Sequence, residues 1–176
     1  MIDLRTGAMT PKTLVGVVRA VAADTDAWQS ALRVPALGDQ RWWTRLASDR
    51  DVEVWLLSWL PGHATTLHDH GPSAAAFAVV QGELAEVRVD PDGWWSRYRR
   101  AAGSITSLPP GLVHDVYGAG TGPAVSLHAY APPLRRMSFY ERDARGRLHV
   151  MRSIATDHPE LEPAGAGPVR HAREEV

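Results

Sequence analysis

Three histidines in the middle of the chain have the spacing of a metal site. His68 and His70 flank a single residue, and in a β-strand two side chains separated by one residue point to the same face. His114 follows further along the chain, separated by two residues from the turn-forming residues 109–111. If a neighbouring strand carries His114, three imidazole nitrogens meet and suit a transition metal. A three-histidine site with open coordination positions is more typical of a reaction centre than of a structural metal.

A second set of polar side chains alternates along a later segment. Ser126, His128 and Tyr130 are each separated by one residue, so in a strand all three lie on one face. On one face, their hydroxyl and imidazole groups can be linked in series by hydrogen bonds. The sequence therefore predicts a connected polar chain along one strand.

The composition excludes several classes of function. The chain has 176 residues and a formal net charge of −1, so it lacks the positive excess that binds nucleic acid or a membrane surface. It has no cysteine, which excludes disulfides, thiolate zinc sites and cysteine nucleophiles. No apolar run is long enough to cross a bilayer, and the N-terminal residues lack the basic-then-apolar pattern of a secretory signal. We therefore predict a cytoplasmic protein without nucleic-acid or membrane partners, and we expect a monomer.

The order of the predicted elements indicates a helical start followed by a β-rich middle. Thr10 and Pro11 suit the N-cap and first turn of a helix that continues to Ala23, and a short second helix is expected to run through Leu32. Short runs rich in β-branched and aromatic residues then alternate with glycine and proline turns, which is typical of a β-sandwich or barrel. The predicted strands cover residues 52–60, 75–80, 83–89, 94–100, 103–108 and 125–130.

These elements divide the chain into three predicted segments. Residues 1–40 form a helical segment packed on a barrel, and residues 41–156 form the barrel itself. Residues 157–176 are rich in proline, glycine, alanine and charge, so we expect a flexible tail. With 44% hydrophobic residues, the chain can bury a core of single-domain size.

Two motifs around the histidines resemble those of the cupin superfamily. The first is Gly, five residues, His-x-His and a later Gly; the second is Gly, about five residues, Pro-x-Gly, two residues and His. The residues that match them are Gly62, His68, His70 and Gly82 for the first motif, and Gly103, Pro109, Gly111 and His114 for the second. Two positions depart from the pattern, since the glutamate of the first motif falls on Ala75 and the asparagine of the second on Gly118. The resemblance implies a mainly β fold, the cupin double-stranded β-helix or jelly-roll barrel, preceded here by N-terminal helices.

The missing glutamate narrows the resemblance to one branch of cupins. Most cupin metal sites use three histidines and one carboxylate, whereas the thiol dioxygenases use histidines alone. Residues 126–133 also resemble the Ser-x-His-x-Tyr segment and following Pro-Pro of the cysteine dioxygenase family. The resemblance implies that His68, His70 and His114 hold Fe(II). It further implies that the catalytic hydrogen-bonded chain is Ser126, His128 and Tyr130, with the Tyr130 hydroxyl also reaching the substrate.

One arginine bears on the choice of substrate. In cysteine dioxygenases an arginine just before the first core strand binds the substrate carboxylate, and Arg45 fits that position; 3-mercaptopropionate dioxygenases have a glutamine there. Arg41 is a competing candidate, and Arg45 can also be an exposed charge at a strand end. The animal enzymes cross-link a cysteine to the active-site tyrosine, and that cysteine position falls on Ala75, so this chain cannot form the cross-link.

The resemblance implies a dioxygenase that takes a small thiol and O2 and incorporates both oxygen atoms. The expected reaction is oxidation of L-cysteine to cysteine sulfinic acid. Two alternatives stay open at this point: a dioxygenase of another small thiol acid such as 3-mercaptopropionate, and a non-catalytic metal-binding cupin sensor.

Overall fold

The computed structural model describes residues 10–144 and 147–158. One helix precedes eleven strands that form two antiparallel sheets. The elements are α1 Pro11–Ala23, β1 Trp42–Ser48, β2 Glu53–Trp59, β3 His68–Asp69, β4 Ala74–Gln81, β5 Glu83–Val89, β6 Trp95–Ala101, β7 Ile105–Leu108, β8 Val113–Gly118, β9 Ala124–Ala131, β10 Arg136–Arg142 and β11 Leu148–Ala155. None of the helices in the described ranges is long and apolar enough to cross a membrane.

The two sheets have the interleaved strand order of a jelly roll. One sheet has the order β1-β2-β9-β4-β7, and the other has the order β11-β10-β3-β8-β5-β6. Chain neighbours such as β4 and β5 lie in different sheets, so the chain crosses between the sheets at its turns. A mainly β cupin barrel was predicted, and this architecture confirms it.

Helix α1 begins with the predicted capping residues. The Thr10 hydroxyl accepts a hydrogen bond from the Thr13 amide, while the Thr13 hydroxyl accepts one from the Thr10 amide, so two otherwise unpaired donors are satisfied. The apolar face of α1 packs on the outer surface of the five-stranded sheet through Leu14, Val17, Val18 and Val21. The short second helix expected through Leu32 is instead two single 3₁₀ turns, Thr25–Ala27 and Gln29–Ala31.

Burial of β2 on both faces explains its continuous apolar sequence. Val54 and Leu56 belong to the outer apolar cluster, which also includes Trp28 and the apolar face of α1. Trp55, Leu57 and Trp59 face the interior between the two sheets. Because this cluster covers the outer face, the strand does not show the polar alternation of a half-exposed strand. Two apolar cores therefore flank the five-stranded sheet, and the inner one surrounds the candidate site.

Five strands lie outside the predicted strand ranges: β3 and β8, which were expected only through their histidines, and β1, β10 and β11. Strands β1, β10 and β11 contain arginines and exposed positions, so apolar and polar residues alternate less clearly in them than in the central strands. Arg45 was expected just before the first core strand, but it lies within β1, directly opposite Trp55 of β2. Of the tail predicted for residues 157–176, only residues 157 and 158 fall within the described part of the chain.

Candidate metal centre and its polar chain

The structure brings the three predicted histidines together inside the barrel. His68 on β3 and His114 on β8 are direct partners in the strand pairing, and His70 follows β3 immediately. One ring nitrogen from each histidine lies within 4.8 Å of the others, and all three side chains are buried. The His68 and His70 Nε2 atoms are 3.2 Å apart. In residues 10–144 and 147–158, no other group of three metal-binding side chains converges in this way.

The electrostatics of His68 and His70 favour neutral imidazoles. Burial lowers the pKa of His68 well below its ordinary value, and the adjacent His114 ring lowers it further. Burial likewise lowers the pKa of His70, with smaller contributions from His68 and His114. Neutral rings at physiological pH offer nitrogen lone pairs, which is the form that binds a metal ion.

Hydrogen bonds fix which nitrogen of two rings is available. The Nδ1 atom of His68 lies 2.7 Å from the carbonyl oxygen of Thr66, which can only accept, so Nδ1 donates and Nε2 keeps its lone pair. The Nδ1 atom of His114 lies 3.2 Å from a carboxylate oxygen of Glu86. The Nε2 atom of His114 is buried and has no hydrogen-bond partner in the structure. A buried nitrogen without a partner is rare, and a metal ion at the cluster would satisfy it. The three residues therefore fit a bound transition metal.

A carboxylate behind His114 was missed by the sequence analysis. Burial by itself raises the pKa of Glu86, but hydrogen bonds and charges from His114 and Arg88 outweigh it and hold the pKa at about 2. An ionised carboxylate can only accept, so His114 donates through Nδ1 and presents Nε2 to the cluster. The signal in the sequence was a glutamate in the middle of a predicted strand, on the same face as the apolar Leu84.

The three polar residues of β9 also lie together. The Ser126 hydroxyl is 2.8 Å from Nε2 of His128, and the Tyr130 hydroxyl is 3.5 Å from Nδ1 of His128, at the long limit for a hydrogen bond. The indole N–H of Trp59 donates to the Ser126 oxygen at 2.9 Å, which adds a fourth member to the chain. The Tyr130 ring lies 4.9 Å from the His70 ring, measured between centroids. The polar chain thus ends beside the histidine cluster.

The two candidate arginines lie in different surroundings. The Arg45 side chain is 45% exposed, lies 5.2 Å above the Trp55 ring, and places a guanidinium nitrogen 3.7 Å from the buried carboxylate of Glu53. Arg41 is buried, with its guanidinium 4.5 Å above the Trp59 ring. After burial and the neighbouring histidine, the charge of Arg41 is a further factor that lowers the pKa of His68. Arg45 therefore lies at an edge open to solvent, whereas Arg41 lies deeper.

An aromatic group lines the same edge as Arg45. Trp43 and Trp55 pack edge to face with ring centroids 5.4 Å apart, and His158 lies 5.0 Å from Trp43. His158 was interpreted as a residue outside the motifs, and no local pattern predicts this contact because more than a hundred residues separate it from both tryptophans.

Comparisons with known proteins agree with the geometry. The family model described as cysteine dioxygenase type I matches residues 10–143. Cysteine dioxygenase type 1 of Rattus norvegicus is 28% identical over 158 residues, which cover 73% of this chain and 79% of the rat protein. The Danio rerio protein of the same name is 28% identical over 117 residues, covering 59% of this chain and 58% of the fish protein.

Solved structures agree on the fold. A Klebsiella pneumoniae protein with a double-stranded β-helix domain aligns with a TM-score of 0.51 and 19% identity, covering 69% of this chain and 91% of that one. A Thermus thermophilus protein aligns with a TM-score of 0.52 and 21% identity, covering 59% of this chain and 92% of its own. At these identities the structural likeness concerns the fold alone.

Proposed function

Because the chain belongs to the cysteine dioxygenase type I family, we propose that it is an Fe(II)-dependent thiol dioxygenase that converts L-cysteine and O2 to cysteine sulfinic acid. The observation that carries the proposal is the buried cluster of His68, His70 and His114, which has no carboxylate among its members. Three neutral ligands would leave the charge of a divalent ion uncompensated and would leave coordination positions for other ligands. An anionic thiolate and a second small molecule can then bind together.

The three histidines would hold the iron through one ring nitrogen each. When bound, Fe(II) supplies a Lewis acid that lowers the pKa of the substrate thiol and a redox centre at which O2 reacts. Both oxygen atoms of O2 end on sulfur, and the thiol provides all four electrons, so the reaction needs no external reductant. Burial of the site excludes bulk water from the reacting sulfur.

Tyr130 is proposed as the catalytic acid or hydrogen-bond donor. Its ring lies 4.9 Å from the ring of His70, and the 3.5 Å separation of its hydroxyl from His128 leaves room for the contact to tighten when substrate binds. The 2.8 Å contact between Ser126 and His128, together with the Trp59 hydrogen bond, fixes the imidazole plane. We infer that this hydrogen-bonded series of side chains orients the Tyr130 hydroxyl so that its proton points to the substrate.

Arg45 is proposed to bind the substrate carboxylate. A guanidinium at an exposed edge can meet an incoming carboxylate with two parallel hydrogen bonds and stays charged at every physiological pH. Its present partner Glu53 is 3.7 Å away, which is longer than a direct charge-assisted hydrogen bond, so the guanidinium retains donors for a ligand. The buried Arg41 is the rival for this role.

The test is sulfinate formation under air by full-length protein loaded with Fe(II), with L-cysteine and 3-mercaptopropionate assayed in parallel. His114→Ala should lose bound iron and activity together, because it removes a ligand. Tyr130→Phe should keep its iron and slow turnover by about 100-fold or more, the usual contribution of one general acid or base.

Three results would each decide against a part of the proposal. Sulfinate formation at the full rate by protein stripped of metal would remove the metal site from the reaction. Faster oxidation of 3-mercaptopropionate than of L-cysteine would keep the chemistry and change the substrate. Iron bound normally with no oxidation of either thiol would favour the non-catalytic sensor.

A further inference from the structure

The carboxylate of Glu86 connects one candidate metal ligand to a pair of arginines. Oε1 lies 3.2 Å from Nδ1 of His114 and accepts a hydrogen bond from Nε of Arg88 at 2.9 Å. Oε2 accepts from Arg100 through Nε at 2.9 Å and through Nη2 at 2.5 Å. The side chain of Glu86 is completely buried, so these contacts replace all the water that an ionised carboxylate would otherwise bind.

The arginine pair is itself held in place. Both guanidinium groups lie over the ring of Tyr98, Arg88 at 5.3 Å and Arg100 at 4.6 Å from its centroid. Arg88 also donates to the Thr106 hydroxyl at 2.7 Å. Hydrogen bonds from the two arginines to both carboxylate oxygens fix the rotamer of Glu86 and leave Oε1 beside Nδ1 of His114.

Strand pairing explains why these residues meet. Strand β5 lies between β6 and β8, with Arg88 opposite His114 and Leu84 opposite Arg100. Glu86 sits midway between those two pairs on β5, so its carboxylate reaches diagonally to His114 on one side and to Arg100 on the other. The contact with the metal-site histidine is therefore built into the register of three strands.

We propose that Glu86 is a positioning residue of the metal centre: its carboxylate accepts the Nδ1–H of His114, fixes that tautomer and ring orientation, and so presents Nε2 to the metal. The proposal rests on the three-histidine metal site of the proposed function. A carboxylate behind a metal-bound imidazole raises the basicity of the ligand and orients it. Glu86 thus acts on the centre through His114 and occupies no coordination position, whereas a cupin glutamate at the place of Ala75 would occupy one.

A purely structural ion-pair cluster is the competing explanation, and the chain offers a matched control. Glu83 lies on the same strand and forms its own ion pair with Arg99. That pair lies at the surface, and the Glu83 carboxylate contacts Arg99 instead of a histidine of the cluster. Glu83→Gln removes one carboxylate charge from β5 without touching His114. Glu86→Gln makes the same chemical change within the cluster and keeps the side-chain shape.

The experiment measures how fast a chelator removes Co(II) from the loaded full-length chain. Glu86→Gln should lose the metal about 10- to 100-fold faster than wild type, the usual effect of removing such a partner. Glu83→Gln should match wild type, and His114→Ala should fail to retain Co(II), which locates the ion at the three-histidine site. Equal rates for wild type, Glu83→Gln and Glu86→Gln would overturn the proposal.

A measurement on the wild type keeps the proposal testable if Glu86→Gln does not fold. In the Zn(II)-loaded chain, His114 should give a low-field, slowly exchanging Nδ1–H proton resonance, identified by its absence from His114→Ala. Absence of that resonance from the wild type would overturn the proposal. Both readouts report metal binding and not turnover, so they test the role of Glu86 separately from the proposed activity. If Co(II) retention depends on Glu86 but the protein oxidises no thiol, the proposed activity is wrong and the role of Glu86 stands.

Discussion

Ala75 occupies the position that separates this site from a four-ligand cupin centre. It is buried on β4 and lies directly opposite Tyr130 of β9, so any larger side chain there would meet the tyrosine next to the histidine cluster. By motif spacing Ala75 stands where the cupin motif has its glutamate, and the resemblance places the cross-linking cysteine of the animal enzymes at the same position. Alanine offers no metal-binding atom, so the three histidines are the candidate ligand set.

Two arginines are candidates for binding the substrate carboxylate. Arg45 lies opposite Trp55 within β1, partly exposed and 3.7 Å from Glu53, whereas Arg41 lies buried over Trp59. A substrate carboxylate can reach an exposed edge without displacing core side chains. Arg45 therefore remains our proposed carboxylate-binding residue.

Arg45→Gln should raise the KM for L-cysteine about 10- to 100-fold, because hydrogen bonds to a charged group contribute about 1.5–3 kcal/mol. Arg41→Gln is the matched variant and should leave this KM near the wild-type value. Steady-state sulfinate formation measures both, with thermal unfolding of each variant as the control for folding. A raised KM in Arg41→Gln together with an unchanged KM in Arg45→Gln would transfer the role to Arg41.

At the scale of elements, the turn between β4 and β5 determines how the two sheets meet. Gly82 joins a strand of the five-stranded sheet to a strand of the six-stranded sheet and has φ of +70°. A Cβ at this position would lie 2.5 Å from the carbonyl oxygen of Pro123 and 2.8 Å from Cα of Ala124. The last glycine of the first cupin motif is thus required by close backbone approach as well as by its dihedral angle.

Gly82→Ala should lower the free energy of unfolding by about 2–5 kcal/mol, the sum of left-handed backbone strain and overlap with a neighbouring strand. Gly93→Ala is the control, since Gly93 has φ of +84° with open space around its Cβ position. That variant should cost about 1–2 kcal/mol from strain alone. Urea unfolding of the metal-free proteins measures both values, and equal losses would show that the Pro123 contact is accommodated by relaxation.

At the scale of the whole molecule, the site exists only where the two sheets face each other. The metal-site histidines and Glu86 belong to the six-stranded sheet or its ends, whereas Tyr130 and its polar chain belong to the five-stranded sheet. Packing of Trp55, Leu57 and Phe77 between the sheets holds the two halves together. The cytoplasmic location and the monomeric state stay predictions, and light scattering of the purified chain tests the second.

The burial and contacts of Glu86, His68 and His70 also determine how the free energy of unfolding changes in acid. The folded chain holds the pKa of Glu86 at about 2, below the value of about 4.3 for an unfolded glutamate. Glu86 therefore binds its proton more weakly when folded, and its contribution of about 3 kcal/mol is present above pH 4.3 and lost as the pH falls towards 2. The lowered pKa values of buried His68 and His70 act in the same direction and begin to destabilise the fold below about pH 6.5.

Urea unfolding of the metal-free chain at a series of pH values checks this expectation. Between about pH 5 and pH 2, Glu86→Gln should show a weaker loss of stability than the wild type, because it lacks the titrating carboxylate. The decline that begins near pH 6.5 should persist in that variant, since the histidines are unchanged. Parallel curves for the two proteins below pH 5 would contradict the assignment to Glu86.

The sequence by itself determined the parts of the site that depend on local periodicity. The alternation of His68 with His70, and of Ser126, His128 and Tyr130, follows from strand geometry, and the cupin motifs supplied His114 and the fold class. The alternation needs only a few consecutive residues and the dihedral angles of one strand, and each motif lies within a single stretch of about twenty residues or fewer.

The tertiary structure decided what lies behind and around those residues. The contact of Glu86 with His114 depends on the register of β5 against β8, and the environment of Arg45 depends on the pairing of β1 with β2. Trp59 completes the polar chain only because β2 lies beside β9. Such contacts join residues that are far apart in the chain, and strand register is fixed by the packing of the whole barrel, so no short stretch of sequence contains them.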